Sequence, residues 1–310
     1  MHPVWLGVSA LFATAVASAA AVDTRDGEVS DPYGYTRSVR LAELTRLQTL
    51  GKAPGVKGKL GQAGFYRVRG ELDRSSQAAQ ECLKGVASEP ADSVKGVEYL
   101  CSATLAGNLL LQGDIAGWAT QMLQVRTLLE RDIRPLLKRQ VGDIHLAGIS
   151  EPHFERFTDW PRNALAVPAP ASDVSVPLQM NNELPTLALK VRTATGEREV
   201  RVHLDSGAAH SRIGRTLAAE LGLALTEGFM VADGKPGQLY ALAAPADLEI
   251  GGLAVRGVSF AVLGQDDLPR IGLDVLRALG RVRINKDALV IQAIATPVPC
   301  TRRMATLSTL

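Results

Sequence analysis

The residues that could do chemistry lie at the end of an apolar strand. Positions 200–204 alternate apolar and polar side chains, and the chain then runs into Asp205-Ser206-Gly207-Ala208. A carboxylate at the end of a rigid strand can take a proton from water and act as a general base. Two carboxylates about 3 Å apart cannot both ionise, so they share one proton and one of them serves as the acid. The motif therefore indicates acid–base chemistry on an activated water, provided that a second carboxylate approaches Asp205.

A second segment with the same order of elements starts 66 residues after Asp205 (271 − 205). Residues 271–276 combine Ile271-Gly272 with an apolar helical stretch. Together the two segments resemble the retropepsin-like aspartic proteases, in particular their exported bacterial members, over roughly residues 174–293. The resemblance implies an acid-protease barrel in which Asp205 is catalytic and Ile271-Gly272 threads beside it as a second loop. It also implies supporting roles in the catalytic loop for Ser206, Gly207 and Ala208.

Each residue type suits the place that the resemblance gives it. Gly207 would let the chain turn sharply and leave backbone N–H groups free to hold the carboxylate. Ser206 offers a small hydroxyl that can reach the partner loop, and Ala208 leaves room beside the carboxylate. The threading segment departs from the family at Arg270, where an apolar residue is usual. Asp274 is expected to cap or solvate the last helix.

The number of motifs predicts the assembly. The chain contains one Asp-Ser/Thr-Gly motif, because Asp233-Gly234 lacks the intervening hydroxyl residue. A working pair of carboxylates therefore needs Asp205 from two chains, which predicts a homodimer with twofold symmetry. A flap is expected to exclude water from the site, and the turn-containing segment 230–240 is the candidate. The predicted flap and substrate-binding residues are Val231, Ala232, Asp233, Gly234 and Lys235.

Other chemistries fit the sequence less well. His203 and His210 flank Asp205 and could be imagined as metal ligands with it, but no fourth ligand accompanies them. His210 is instead expected to be a polar wall residue near the site. Ser206 lies outside any Gly-x-Ser-x-Gly motif, which argues against a serine nucleophile. No metal and no cofactor is expected.

The order of patterns predicts a multi-domain chain, with helices first and an all-β barrel second. We divide it into a signal peptide (1–21), a loose arm (22–37), a helical domain (38–150), a proline-rich linker (151–173), a retropepsin-like aspartic protease domain (174–295) and a C-terminal tail (296–310). The signal peptide ends in an Ala-x-Ala pattern, which predicts export to a periplasm or beyond.

The helical domain is predicted to contain helical hairpins. Gly113-Asp114 supplies a helix stop followed by a helix start, and the flanking helices resemble one tetratricopeptide unit, with a plain helical bundle as the alternative. The glycine-rich stretch 51–64 is expected to break the helical pattern. In the linker, Phe154, Phe157 and Trp160 are expected to pack onto one of the two domains.

Composition argues against some classes of partner, and the cysteines allow a disulfide. The 310 residues are 46% apolar and 21% charged with a net charge of +2, which disfavours a nucleic-acid partner. No membrane span is expected once the signal peptide is removed. Cys82 and Cys101 are candidates for a disulfide, with two buried thiols as the alternative, and Cys300 would be unpaired.

The sequence therefore predicts an exported, homodimeric aspartic endopeptidase that acts on polypeptides. Its helical domain could bind a protein partner, restrict access to the site or support dimerisation. The alternative is a periplasmic interaction module with helical repeats, in which the protease-like barrel is catalytically inactive.

Overall fold

The computed structural model describes residues 32–136, 153–161, 170–181, 184–229, 239–262, 264–266, 268–285 and 287–293. Helices fill residues 35–133, and a curled β-sheet that forms a half-barrel follows them. The predicted order of the fold class, helices first and an all-β region second, is confirmed. The signal peptide (1–21), the C-terminal tail (296–310) and the flap candidates at 231–235 lie outside the described residues.

Six helices build the N-terminal region. They are α1 (Tyr35–Arg40), α2 (Leu44–Leu50), α3 (Gly55–Val68), α4 (Leu72–Val86), α5 (Ala91–Leu111) and α6 (Ile115–Leu128). A π-helical turn, Leu129–Ile133, extends α6. The end of the predicted loose arm belongs to this region, because Tyr35 is buried in α1 and its hydroxyl lies 2.8 Å from the hydroxyl oxygen of Thr104.

The expectation that glycines 51–64 break the helical pattern is wrong, since α3 begins at Gly55. Three glycines of α3 lie at helical spacing on the side that faces the preceding chain. A Cβ at Gly58 would lie 1.9 Å from the carbonyl oxygen of Ala53, and one at Gly61 would lie 2.4 Å from the backbone nitrogen of Gly51. These glycines allow backbones to approach closely, and that contact compensates for their low helix propensity.

Helices α4, α5 and α6 pack as successive hairpins. Asp114 begins α6, and its carboxylate accepts a hydrogen bond of 2.8 Å from the backbone N–H of Gly117, as expected for an N-cap. Gly113 before it has a φ of 80°, which favours glycine at a helix end. A disulfide joins the fully buried Cys82 of α4 to Cys101 of α5.

Thirteen strands and two short helices make up the described part of the C-terminal region. The strands are β1 (Val174–Pro177), β2 (Gln179–Asn181), β3 (Leu184–Thr193), β4 (Gly196–Leu204), β5 (Arg212–Ile213), β6 (Leu225–Phe229), β7 (Tyr240–Ala243), β8 (Ala246–Ile250), β9 (Leu253–Val258), β10 (Ala261–Val262), β11 (Arg270–Ile271), β12 (Val282–Ile284) and β13 (Ala288–Ile291); the helices are α7 (Arg215–Glu220) and α8 (Leu273–Ala278). The large sheet has the order β6-β7-β10-β5-β11-β4-β3-β8-β9, with β2 paired to β3, and β1-β13-β12 form a small sheet.

The linker aromatics pack against both regions, so the expectation that they pack onto one is wrong. Phe154 and Phe157 form a short 3₁₀ turn whose rings lie 5.4 and 6.1 Å from the Trp118 ring of α6. Phe157 also lies 5.8 Å from Phe229 of β6, and the Trp160 indole donates to the hydroxyl of Ser259 at 3.0 Å. This aromatic cluster joins the helices to the sheet through one continuous core.

Among the residues that the structure describes, no helix is both long enough and apolar enough to cross a membrane.

Candidate active site

Asp205 lies at the open end of the central strand β4. Its backbone N–H donates to the carbonyl of Ile271 at 3.0 Å, so the ladder between β4 and β11 continues one residue past the strand. The chain then turns, and the N–H of Ala208 donates to the carbonyl of Asp205 at 3.1 Å. The Asp205 side chain is 24% exposed and Ser206 is exposed beside it. The carboxylate is thus fixed by its backbone and open to solvent.

The backbone of Gly207 holds the carboxylate. Its N–H donates to Oδ1 of Asp205 at 3.0 Å, as expected from the sequence. The proposed need for glycine as a sharp-turn residue is not supported, because Gly207 is not among the positive-φ glycines of the described chain. Ala208 is buried beneath the loop.

Ile271 and Gly272 run beside the loop that carries Asp205, as the resemblance implies. Ile271 pairs in parallel with Leu204, the residue before Asp205. A Cβ at Gly272 would lie 2.6 Å from the carbonyl carbon of His210 and 2.9 Å from the carbonyl oxygen of Ala208. Only glycine allows this contact, and so a side chain here would push the Asp205 loop away.

Asp274 in α8 binds the segment that follows Asp205. The expectation that it caps or solvates that helix is only half right: its carboxylate accepts from its neighbour Val275 N–H at 2.8 Å, but it is buried. It also accepts from the hydroxyl of Ser211 at 2.7 Å and from the backbone N–H of Ser211 at 2.9 and 3.0 Å. The Ser211 hydroxyl in turn accepts from the N–H of Gly272 at 3.0 Å. Both loops are therefore tied to one buried carboxylate.

Arg270 pairs directly with Asp205, a contact that sequence reasoning missed. Its Nη1 donates to Oδ2 of Asp205 at 2.7 Å, while Gly207 occupies Oδ1. The Arg270 side chain is 40% exposed, and an ion pair this open to water contributes about 1 kcal/mol or less. Arg270 is unusual in the sequence, because the resemblance predicts an apolar residue at this position. Since Arg270 directly precedes Ile271, which pairs beside Asp205, the sequence could have predicted that Arg270 lies next to the carboxylate.

Arg270 belongs to a row of polar residues across four strands. It pairs with His203 of β4 and with Arg212 of β5, and His203 pairs with Thr186 of β3. Register partners in a sheet point to the same face, and Asp205 follows His203 by two residues, which is the period of a strand. Thr186 Oγ1 and His203 Nδ1 lie 3.0 Å apart and share a hydrogen bond. The face that carries Asp205 is therefore polar and basic.

His210, which we expected to be a polar wall residue near the site, is buried. It is 3% exposed and its ring lies 5.4 Å from Phe229, within reach of the aromatic cluster. Burial lowers the pKa of His210; Arg212 acts in the same direction and Asp274 in the opposite one. In the described part of the chain, no three His, Cys, Asp or Glu residues are placed to hold a metal ion.

The helical region reaches the segment that follows Asp205 at two points. Leu72 of α4 and Leu111 of α5 pack with Ala209, and Trp118 contacts Phe229, which in turn contacts His210. The segment that follows the catalytic motif is thus covered by helices, while Asp205 and Ser206 stay open.

Comparison with known proteins gives the family to which this region is similar. Residues 189–275 match the sequence model of the family described as "Aspartyl protease", so the predicted resemblance is confirmed over these residues. A solved structure titled "Crystal structure of a retropepsin-like aspartic protease from Rickettsia conorii" is also similar, with 17% identity and a TM-score of 0.31; the alignment covers 41% of this chain and 94% of that one. No curated protein matches the chain.

Proposed function

We propose that this chain is an exported aspartic endopeptidase that works as a homodimer. The observation that carries the proposal is the placement of Asp205, a partly exposed carboxylate on a loop that Gly272 and Asp274 hold in place. This loop lies within residues 189–275, the stretch that is similar to aspartyl proteases.

The proposed reaction needs two carboxylates and one water. One Asp205 takes a proton from the water as the water oxygen attacks the scissile carbonyl carbon, and the protonated Asp205 of the second copy donates its proton to the carbonyl oxygen. The resulting diol collapses as the C–N bond breaks. The proton taken from water passes to the leaving nitrogen, and a diol hydroxyl returns a proton to the other carboxylate. The products are a carboxylic acid and an amine, and the pair again holds one proton.

A second copy of the chain is the proposed source of the second carboxylate. The sequence offers one Asp-Ser-Gly motif. Ser206 is exposed and the Asp205 side chain is 24% exposed, so a partner loop could reach them. We further propose that Val231–Lys235 close over a bound polypeptide, and that the helical region brings substrates or protein partners to the barrel.

Export is supported by two independent features. The N-terminal segment carries a cleavage-type pattern at Ala17-Ser18-Ala19, and a disulfide joins Cys82 to Cys101. Disulfides persist in oxidising compartments, so a periplasmic or secreted location fits both.

The test is cleavage of an unfolded protein. We would incubate reduced, carbamidomethylated serum albumin with the wild-type chain, with Asp205→Asn and with Asp266→Asn as the matched control. Asp266 is an exposed carboxylate of the same region that accepts from Thr216 at 2.8 Å. We expect the wild type and Asp266→Asn to cleave and Asp205→Asn to lose all cleavage while remaining folded. Cleavage by Asp205→Asn would refute the proposal.

The rival function, an interaction module with an inactive barrel, is favoured by one observation. Both carboxylate oxygens of Asp205 are occupied within a single chain, by Gly207 and by Arg270. The rival predicts that the wild type cleaves no peptide and stays monomeric at high concentration.

A further inference from the structure

We propose that Arg270 selects substrates with an acidic side chain next to the scissile bond, and that such a side chain releases Asp205 for catalysis. This inference rests on the proposed function, since it names the substrate class of the same site. It concerns the specificity of cleavage, because Arg270 would bind the substrate and not the reacting atoms.

Arg270 lies where a side chain next to the scissile bond would be. Its Nη1 lies 2.7 Å from Oδ2 of Asp205, so a peptide whose scissile bond lies over Asp205 also lies over the guanidinium. Neighbouring residues of an extended peptide are about 3.3 Å apart along the chain. The side chain that flanks the scissile bond is therefore within reach of Arg270.

The face of the sheet that carries Asp205 also carries positive charge. Two guanidinium groups, Arg270 and Arg212, are register partners on the face that carries Asp205. A carboxylate from the substrate would be attracted by the Arg270 guanidinium on this face, whereas a basic side chain would be repelled by it.

The ion pair between Arg270 and Asp205 is weak enough for a substrate to compete with it. Arg270 is 40% exposed, so water already screens its attraction to Asp205 and another carboxylate can compete for it. A guanidinium presents several donors in a planar fork that suits a carboxylate. When a substrate carboxylate takes the guanidinium, Oδ2 of Asp205 becomes available to the water and to the second copy of the chain.

The experiment uses matched peptide pairs. Cleavage sites in carbamidomethylated serum albumin are first mapped with the wild-type protein by mass spectrometry. Peptides spanning these sites are then synthesised with Glu or Gln on either side of the scissile bond, and kcat/KM is measured at pH 6, where glutamate is ionised. We expect the wild type to prefer Glu over Gln by about 10- to 100-fold at one of the two positions, as for a charge-assisted hydrogen bond.

Three variants separate specificity from folding. Arg270→Met should bring the Glu-to-Gln ratio close to 1. Arg270→Lys should keep much of the ratio, because it keeps the charge. Arg198→Met is the matched control, since Arg198 is another strand arginine in an ion pair, with Glu220 at 2.7 Å, and it should behave as the wild type. The wild-type ratio should also fall as salt is raised from 0.05 to 0.5 M, and the Arg270→Met ratio should not.

The outcomes distinguish this inference from the function on which it rests. If the wild type cleaves and Asp205→Asn does not, but Arg270→Met keeps the full Glu preference or the wild type has none, the inference is wrong and the proposed function stands. If the wild type cleaves neither albumin nor any peptide, both are wrong.

Discussion

Removing the carboxylate of Asp274 tests whether a single buried group holds the two loops of the site together. In Asp274→Ala, the hydroxyl and the backbone N–H of Ser211 and the N–H of Val275 lose the acceptor that they contact at 2.7–3.0 Å. A hydrogen bond to a charged group contributes about 1.5–3 kcal/mol, and a buried donor without a partner costs about 1–3 kcal/mol. Because these contributions overlap, we expect Asp274→Ala to lower the free energy of unfolding by about 3–5 kcal/mol.

The assay is unfolding in urea followed by circular dichroism. With a slope of about 3 kcal/mol per M urea, the expected loss moves the midpoint down by about 1 M or more. Asp274→Asn keeps one acceptor oxygen and should lose about half as much. Asp73→Ala is the matched control, since Asp73 also lies in the first turn of a helix but is exposed, and its loss should stay below about 1 kcal/mol. If Asp274→Ala unfolds within 0.5 M of the Asp73→Ala midpoint (an allowance of about half the expected shift), Asp274 does not anchor the loops.

Two further predictions concern stability. Reducing the Cys82–Cys101 disulfide, which closes a sequence separation of 19 residues, should cost about 3 kcal/mol in the free energy of unfolding; a Cys82→Ser/Cys101→Ser variant should not respond to reductant, and an unchanged wild-type midpoint would contradict the prediction. Burial lowers the pKa of His210. Below about pH 6.5 the unfolded chain therefore binds a proton that the folded protein does not. The free energy of unfolding should decrease as the pH is lowered, by up to about 1.4 kcal/mol per pH unit. His210→Phe should lose less stability than the wild type between pH 7.5 and 5.5, and an equal loss in both proteins would show that His210 does not cause the effect.

The sequence predicted the parts of the site that depend on local pattern. Alternation along 200–204 places Asp205 at the end of a strand, whereas the position of Ile271-Gly272 beside it was implied by the resemblance to the retropepsin-like proteases. The order of helices before strands follows from the change of hydrophobic period. Such signals are local, and tertiary packing did not override them.

The contacts that the sequence did not predict depend on packing between distant segments. Glycines 58 and 61 look like helix breakers, yet they lie in α3 because the neighbouring backbone comes too close for a side chain. Asp274 looks like a helix cap until Ser211, 63 residues away along the chain, is seen to donate to it. Arg270 reaches Asp205 only because β11 inserts between β4 and β5.

The central claim, that two copies of Asp205 form one catalytic pair, is tested most directly by mixing chains. Equal amounts of wild type and Asp205→Asn are unfolded together in urea with their disulfides intact, refolded, and assayed on albumin at fixed total concentration. If each active unit needs Asp205 from both chains, only about a quarter of the dimers are active, and activity should be about 25% of that of refolded wild type. Activity of about 50%, the value for chains that act singly, or of about 75%, the value for a pair in which one Asp205 suffices, would contradict the account.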